Sequence, residues 1–323
     1  MTGLPHFDAE AIRAVVDMPT CIAALSDGSR ELGDLHPRAQ VPLGPGDDFL
    51  MMPAVSPAGI GVKIVNVVSG NRDRGLPLIH GFYLYCDRET GVPAATLDGS
   101  ALTTLRTPAA SALAADLLAR QDVTTLGVFG TGIQARGHIE AMLVVRPGID
   151  RIVVSGRTNA SAVGFVADPT VQALAGDREL VAGTPEETAG CALVCGCTSS
   201  TEPVIPTTAV RPGAHLGLVG SYSMARREVD AELLARATVF VDDRHAAAHE
   251  AGDLMVPAEA GDWSFDAVAG DLAELCLGTA GRRDDDEITL FKSVGLAVWD
   301  LIVAGAVVQA DWTHRPNGRQ SNL

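Results

Sequence analysis

The stretch LGVFGTGIQA, residues 126–135, decides the fold. An apolar strand at 126–129 runs into the turn Gly130-Thr131-Gly132 and then into a helix that starts with Ile133 and Gln134. In this GxGxxA pattern the first glycine allows a tight turn and the second lets backbone amides approach a diphosphate, while the alanine lets helix and strand pack closely. The free amides of a helix N-terminus also favour an anion. The stretch therefore predicts a dinucleotide site.

The segments on either side of this stretch predict two domains. From residue 107 onward, apolar strands at 126–129, 152–154, 193–195, 216–219 and 239–241 alternate with helical or loop segments. This rhythm is typical of an α/β, Rossmann-type doubly wound parallel sheet. Before it, β-branched and aromatic segments between turns predict a smaller α+β domain, mostly antiparallel, over residues 1–106. We expect its first element to be a helix over residues 8–25, capped by Asp8.

The end of the second strand bears on the choice of cofactor. An acidic residue there would bind the adenosine ribose of NAD(H), but the sequence reads Ser155-Gly156-Arg157-Thr158. Arg157 can pair with a 2'-phosphate and Thr158 can hydrogen-bond to it. We therefore favour NADP(H) over NAD(H), with a plain surface arginine as the alternative interpretation of Arg157.

Two cations in the smaller domain are candidate binding residues. Lys63 lies inside a strand-like segment, on the face opposite Val62 and Ile64, although a single strand lysine commonly points to solvent. Arg106 directly precedes Thr107-Pro108, which has the residues of a helix start. Its guanidinium and the free amides of that helix would then converge on one anion. A capping or surface arginine is the alternative.

The overall charge narrows the class of ligand. With a formal net charge of -16 and a pI near 4.8, the chain lacks the excess of Lys and Arg needed to bind phosphate backbones. We expect no nucleic acid and no membrane as partner, and a small solute as ligand. The cysteines show no disulfide-scaffold spacing, and the N-terminal MTGLPHFDAEAIRAVV has no signal-peptide pattern. Both features predict a cytoplasmic protein.

Three further stretches have alternative interpretations. The apolar stretch from residue 293 to 310 approaches the length of a membrane span, but Asp300 interrupts it, so we expect a buried helix. The charged run at 282–287 predicts a solvated loop before this helix. His245 and His249 lie four residues apart on an expected helix but lack a clear third ligand, so we expect no metal site.

Short motifs along nearly the whole chain carry a family resemblance. They are Met52-Pro53, Gly61-Val62-Lys63, Gly75-Leu76-Pro77, Leu102-Thr103-Thr104-Leu105-Arg106-Thr107, Gly130-Thr131-Gly132-Ile133-Gln134-Ala135, Arg227-Glu228-Val229-Asp230 and Phe291-Lys292-Ser293-Val294-Gly295. In these motifs the chain resembles the ornithine cyclodeaminase and mu-crystallin family. The resemblance implies amino acid or cyclic imino acid substrates.

The resemblance also implies an assembly and a set of site residues. It implies a homodimer formed by the N-terminal sheets, with residues 306–323 returning to the first domain and 107–305 forming the Rossmann domain. Arg106 and Lys63 would hold the substrate carboxylate together with Arg38, whose surrounding segment aligns loosely. Ile133 and Gln134 would lie on the diphosphate. The nicotinamide side would be formed by Thr198, Val219, Ser221 and Ser293.

One departure from the family pattern points to the reaction. Cyclodeaminases of this family carry an acidic residue where this chain has Ser221, and serine cannot act as their acid and base at neutral pH. Reduction of an imine needs only a hydride and one proton. We therefore predict an NAD(P)H-dependent reductase of a cyclic or linear ketimine carboxylate, with Lys63, Arg106 and Ser221 at the catalytic site. Ornithine or lysine cyclodeamination and a non-catalytic NADPH-binding protein are the alternatives.

Overall fold

The computed structural model describes residues 3–32, 35–220 and 223–314, without the side chains of 72 and 312–314. The chain divides into two compact units. The first comprises Met1–Arg106 and Leu296–Leu323, and the second comprises Thr107–Gly295.

The first unit is built on a six-stranded sheet. Its order is β1-β6-β5-β4-β3-β2, antiparallel except for the β1–β6 pair. The strands are β1 (His6–Phe7), β2 (Ala39–Gly44), β3 (Asp47–Ser56), β4 (Gly59–Val67), β5 (Ile79–Cys86) and β6 (Pro93–Asp98). The expected smaller, mostly antiparallel domain is therefore present.

The helical segment expected over residues 8–25 is divided into two helices. Asp8 caps α1 (Ala9–Val15), as expected, by accepting a hydrogen bond from the amide of Ala11. A second aspartate, Asp17, caps α2 (Met18–Ser29) in the same way. The helix is interrupted at Asp17, because its side chain accepts the hydrogen bond of the Thr20 amide, which a backbone carbonyl would accept in a continuous helix.

The helix α3 (Gly99–Leu118) corrects the expected helix start at Thr107-Pro108. It begins directly after β6, where the carboxylate of Asp98 accepts hydrogen bonds from the amides of Ser100 and Ala101. Pro108 therefore lies inside the helix, and Arg106 lies two turns from its start. The expected convergence of Arg106 with free helix amides is wrong, because the free amides are in the first turn of α3, which begins at Gly99.

The C-terminal helix (Ala297–His314) belongs to the core of the first unit. It packs on α2, β3 and β4, and Trp299 and Asp300 are fully buried. The return to the first unit therefore begins at Leu296 and not at the expected residue 306. In the described part of the chain, no helix has the length and apolar character needed to cross a membrane.

The second unit is an eight-stranded sheet in which every pair is parallel, so the predicted Rossmann-type fold is confirmed. Its order is β13-β12-β14-β11-β10-β7-β8-β9. The strands are β7 (Thr125–Phe129), β8 (Arg151–Ser155), β9 (Glu179–Ala182), β10 (Leu193–Gly196), β11 (His215–Leu218), β12 (Ala237–Val241), β13 (Val268–Asp271) and β14 (Ile288–Lys292). The intervening helices are α4 (Ile133–Val145), α5 (Asn159–Val166), α6 (Pro169–Ala175), α7 (Pro185–Ala189), α8 (Ala231–Arg236), α9 (Arg244–Glu250), α10 (Gly252–Ala260) and α11 (Leu272–Leu277).

The strand β14 corrects the interpretation of the charged run at 282–287. This run precedes a strand and not the last helix, and β14 is buried at all five positions between β11 and β12. Arg282 is not simply solvated, because its guanidinium donates to the carbonyl oxygens of Leu118 and Gly213. This part of the run is therefore held to the body of the second unit by side-chain hydrogen bonds.

Candidate functional site

The glycine turn after β7 has the geometry that a bound diphosphate requires. Gly130 has a φ of 116°, and a Cβ at this residue would lie 2.8 Å from the carbonyl oxygen of Cys197, so only glycine fits. Gly132 is the N-cap of α4, and no side chain caps this helix. A Cβ at Gly132 would meet no atom within 4 Å. The backbone amides at the start of α4 are therefore open to an anion.

A buried histidine, which sequence reasoning missed, fixes the first turn of α4. His138 is fully buried, with Nδ1 2.7 Å from the carbonyl oxygen of Gln134 and Nε2 3.0 Å from Oγ of Ser111. Burial lowers the pKa of His138 to about 4, so the ring is neutral near pH 7. Since a carbonyl only accepts, Nδ1 carries the proton, and the ring ties α4 to α3 without adding charge.

The end of β8 presents an arginine and no acid. Arg157 is exposed, and its guanidinium has no ion pair or hydrogen bond to any residue that the structure describes. Thr158 is the N-cap of α5 and accepts from the amide of Ser161, which makes a reciprocal capping box. The Thr158 oxygen thus has a structural role, while its hydroxyl proton is available to a ligand.

The residues expected on the nicotinamide side follow neighbouring parallel strands. Thr198 follows β10, Val219 follows β11 and Ser293 follows β14, so all three lie at the carboxyl edge of the sheet. Ser293 donates to a buried carboxylate, with 2.9 Å between its Oγ and Oδ2 of Asp242. Ser221, the residue on which the choice of reaction depended, lies outside the described residues.

Lys63 and Arg106 meet on one carboxylate in the first unit. Lys63 is on the buried face of β4 and only 2% exposed, and Arg106 is 5% exposed. Nζ of Lys63 lies 2.7 Å from Oδ2 of Asp300, and Nε of Arg106 lies 3.2 Å from Oδ1 of the same residue. Lys63 also donates to Oγ1 of Thr103 at 3.1 Å. The two predicted cations are thus brought together, although not by a helix N-terminus.

The charges around Asp300 do not cancel. Burial lowers the pKa of Lys63 to about 8, the carboxylate of Asp300 opposes this shift, and the positive charges of Arg106 and Arg38 add to it. The third predicted anchor, Arg38, thus acts on Lys63 through its charge. We call Lys63, Arg106 and Asp300 the cationic cluster. One carboxylate faces two buried cations, so the cluster favours an additional anion.

The terminal nitrogens of Arg106 are available to that anion. Only Nε of Arg106 is engaged by Asp300, and within the described ranges no residue accepts a hydrogen bond from Nη1 or Nη2. A guanidinium with two parallel donors matches a carboxylate in a bidentate arrangement. The hydroxyl of Tyr83, which pairs across the sheet with Lys63, is also buried without a partner among the described residues.

Asp300 is the functional residue that sequence reasoning missed in this unit. It was interpreted only as an interruption of an apolar stretch. The signal was present, because a carboxylate in the middle of an apolar helix must be paired when the helix is buried. What the sequence did not contain was the partner, since Lys63 is 237 positions away and Arg106 is 194.

Comparisons with known proteins show similarity over most of the chain. A family model described as the ornithine cyclodeaminase/mu-crystallin family matches residues 15–314. The chain is 38% identical over 260 residues to a Delta(1)-pyrroline-2-carboxylate reductase of Bacillus cereus, covering 79% of each. The Thermococcus litoralis Delta(1)-pyrroline-2-carboxylate reductase in complex with NADH and L-proline superposes with a TM-score of 0.90 at 29% identity, covering 96% of this chain and 98% of that one. An archaeal alanine dehydrogenase dimer with bound NAD gives 0.89 at 29% identity, covering 96% of both chains.

Proposed function

Because the chain belongs to the ornithine cyclodeaminase/mu-crystallin family, we propose that it is a nicotinamide-dependent reductase of cyclic or linear ketimine carboxylates, giving an L-amino acid. Pyrroline-2-carboxylate and piperideine-2-carboxylate are the substrate types that fit best. The observation that carries the proposal is the cationic cluster, in which Lys63 and Arg106 share the single carboxylate of Asp300.

The second unit provides the residues that hold the cofactor. Gly130 and Gly132 leave the start of α4 open to a diphosphate, and the neutral ring of His138 keeps its first turn in place. The residues present therefore fit a dinucleotide. A reduced nicotinamide supplies a hydride when it is bound.

The first unit provides the residues that hold the substrate. The carboxylate of the imine binds the terminal nitrogens of Arg106 through two parallel hydrogen bonds, and Arg38 adds positive charge. Asp300 holds Nε of Arg106 and thereby fixes the plane of the guanidinium. The carboxylate anchor orients the imine carbon because the two groups are directly bonded in the substrate.

Lys63 donates the proton that the imine nitrogen needs. With a pKa of about 8, its ammonium group is mostly protonated at neutral pH but gives up a proton more readily than an exposed lysine. In the reaction a hydride adds to the imine carbon, the C=N double bond becomes a single bond, and a proton from Lys63 completes the amine. Solvent then restores the proton of Lys63. Asp300 keeps the ammonium in place and favours its charged form.

The preference for NADPH is the finer part of the proposal. The guanidinium of Arg157 is exposed at the end of β8, next to the Thr158 hydroxyl, and no acidic residue stands between Ser155 and Ser161. A ribose 2'-phosphate would gain a charge-assisted contact there, whereas an acid that would repel it is missing from this segment.

We also propose that the protein is a homodimer. The outer face of the first-unit sheet is apolar and partly exposed among the described residues, with Val55 38% exposed and Phe82 43% exposed. The face is formed by Met51, Pro53, Val55, Ile60, Val62, Ile64, Phe82 and Leu84, which are cross-strand neighbours. A second copy of this face is the occupant we propose, because it would bury matching apolar surface on both subunits.

The function is tested with the purified protein and a panel of imines. We expect carboxylated five- and six-membered cyclic imines to cause oxidation of NADPH, which is measured as a decrease in the absorbance of the reduced nicotinamide. Ornithine or lysine with catalytic NAD should release no ammonia, because position 221 is a serine and not an acid. Ammonia release with proline or pipecolate as product would favour the cyclodeaminase, and cofactor binding without turnover of any imine would favour a binding protein.

A further inference from the structure

One buried carboxylate joins the ends of β10 and β11. Oε1 of Glu228 accepts the amide of Thr198 at 2.7 Å, and Oε2 accepts the amide of Gly220 at 3.0 Å. The side chain of Glu228 is fully buried. We call this contact the Glu228 bridge. It holds the first residues of two loops that leave neighbouring strands on the same edge of the sheet.

Two glycines make room for the Glu228 bridge. A Cβ at Gly220 would lie 1.9 Å from the carbonyl oxygen of Thr198 and 2.7 Å from Cδ of Glu228. A Cβ at Gly196 would lie 2.9 Å from Oε2 of Glu228. The two loops and the carboxylate are thus in close contact, so a displacement of Glu228 would shift both loops.

A second layer of buried charge holds Glu228 in position. Oδ1 of Asp253, on α10, accepts hydrogen bonds from the amides of Glu228 and Val229. Oδ2 of Asp253 lies 2.7 Å from Nζ of Lys292, on β14. Asp253 and Lys292 are both fully buried. This layer connects the bridge to β14, which lies between β11 and β12 in the sheet.

The position of the Glu228 bridge in the sheet indicates which part of the cofactor lies next to it. β7, which leads to the glycine turn, lies between β8 on one side and β10 on the other. A dinucleotide across this switch point puts its adenosine over the β8 side, where Arg157 stands. The nicotinamide end then lies over the loops after β10 and β11, which are the loops that Glu228 joins.

We propose that Glu228 is a positioning residue for hydride transfer, and that it fixes the spacing of the Thr198 and Gly220 loops that receive the nicotinamide ring. The proposal rests on the proposed function. Glu228 belongs to the second unit and the cationic cluster to the first, so its removal should alter the placement of the cofactor and leave binding of the imine carboxylate unchanged.

The first test is the variant E228Q, in which one of the two amides loses its acceptor and faces an NH2 group. We expect kcat to fall about 10- to 100-fold, because small misplacements of the reacting groups cost this much. The KM for the imine should change less than about threefold, since its carboxylate anchor is elsewhere. E228D, which keeps the charge but is one methylene shorter, should retain more activity than E228Q.

The matched control is E287Q. Glu287 is a half-buried residue of the second unit whose side chain is 5% exposed, and its carboxylate accepts the amide of Arg283 at 2.6 Å. It directly precedes β14 at the opposite edge of the sheet from the loops. E287Q should lower the melting temperature without lowering kcat. Equal losses of kcat in E228Q and E287Q would overturn the proposal.

Amide hydrogen exchange needs no catalytic turnover, so it tests the Glu228 bridge independently of the proposed function. The amide hydrogens of Thr198 and Gly220 in the wild-type protein should exchange slowly with solvent, and in E228Q at least one should exchange about tenfold faster or more. If wild-type exchange is as fast as in open loops, the bridge is disproved even when no variant folds. If exchange is slow but no imine is reduced, the proposed function fails and the bridge stands.

Discussion

In the proposed reaction, Lys63 must be protonated when the imine binds, and this gives a pH dependence. Its pKa in the folded protein is lowered to about 8, so the donor is lost as the pH rises through this value. We expect kcat/KM for imine reduction to decrease above about pH 8. Because Asp300 raises the pKa of Lys63, D300N should move this decrease to lower pH. An alkaline limb that stays in place in D300N would contradict the role of Lys63 as donor.

A second prediction concerns Arg106. Replacing it by alanine removes the bidentate carboxylate anchor, and charge-assisted hydrogen bonds contribute about 1.5–3 kcal/mol each, so kcat/KM should fall more than about a hundredfold. The control is a substrate: with 1-pyrroline, which has no carboxylate, wild type and R106A should differ little. A similar loss with both imines would show that Arg106 acts on the fold and not on the carboxylate.

A third prediction concerns the choice of cofactor. R157D places a negative charge where we propose the 2'-phosphate binds, so the ratio of kcat/KM for NADPH to that for NADH should fall at least about tenfold. Arg151 is exposed at the opposite end of the same strand and pairs with Glu179, which makes R151D the matched control. A ratio that R157D leaves unchanged would refute the cofactor preference.

The sequence was sufficient to find the cations of the proposed substrate site but not the acids that pair with them. Lys63 and Arg106 belong to recognisable motifs. The roles of Asp300 and Asp253 depend on partners that are distant in the sequence. Glu228 lay in a motif that carried the family resemblance, but the motif did not reveal that its carboxylate accepts two loop amides. Long-range pairs of this kind depend on the tertiary fold.

At the scale of elements, a substitution in the glycine turn before α4 should change cofactor binding more than it changes the stability of the fold. Gly132 has a φ of -99° and open space where a Cβ would stand, so G132A should cost less than about 1 kcal/mol of stability. The added methyl group would project where the diphosphate approaches, so the Kd for NADPH should rise about tenfold or more. G164A, at a helical glycine of α5 with equally open space, is the control. Unchanged NADPH affinity in G132A would argue against a diphosphate at this turn.

Element boundaries were the weakest part of the sequence-based account, and α3 shows why. Thr107-Pro108 has the residues of a helix start, but Asp98 provides an N-cap immediately after β6 and the helix runs through Pro108. The cost of Pro108 is one backbone hydrogen bond, which tertiary packing of the buried helix outweighs. β14 was missed for a related reason: its short buried run cannot be distinguished from loop or helix by periodicity.

At the scale of the whole molecule, the apolar outer face of the first-unit sheet predicts a dimer. F82D puts a charge on this face, so it should weaken association at least about a hundredfold, because a buried unpaired charge is costly. V163D is the matched control, because Val163 is similarly exposed, at 49%, on α5 of the second unit. Light scattering coupled to gel filtration should show a monomer for F82D and dimers for wild type and V163D. A wild-type monomer would refute the proposed interface.

The fold class followed from the sequence because two signals agreed. Alternation of apolar strands and helices predicted a parallel sheet, and the glycine turn marked where its two halves meet. The C-terminal boundary did not follow, since an apolar stretch can be buried in either unit. Its packing on α2, β3 and β4 and the pairing of Asp300 with Lys63 and Arg106 assign the last helix to the first unit.

The most direct test of the account is the product formed from Δ1-pyrroline-2-carboxylate. With wild-type protein and NADPH, we predict that one L-proline forms for each NADPH oxidised, measured by chiral chromatography and by the absorbance of the reduced nicotinamide. R106A should form almost none under the same conditions, while still binding NADPH. Binding of NADPH by the wild-type protein with no proline formed at any imine concentration would contradict the account.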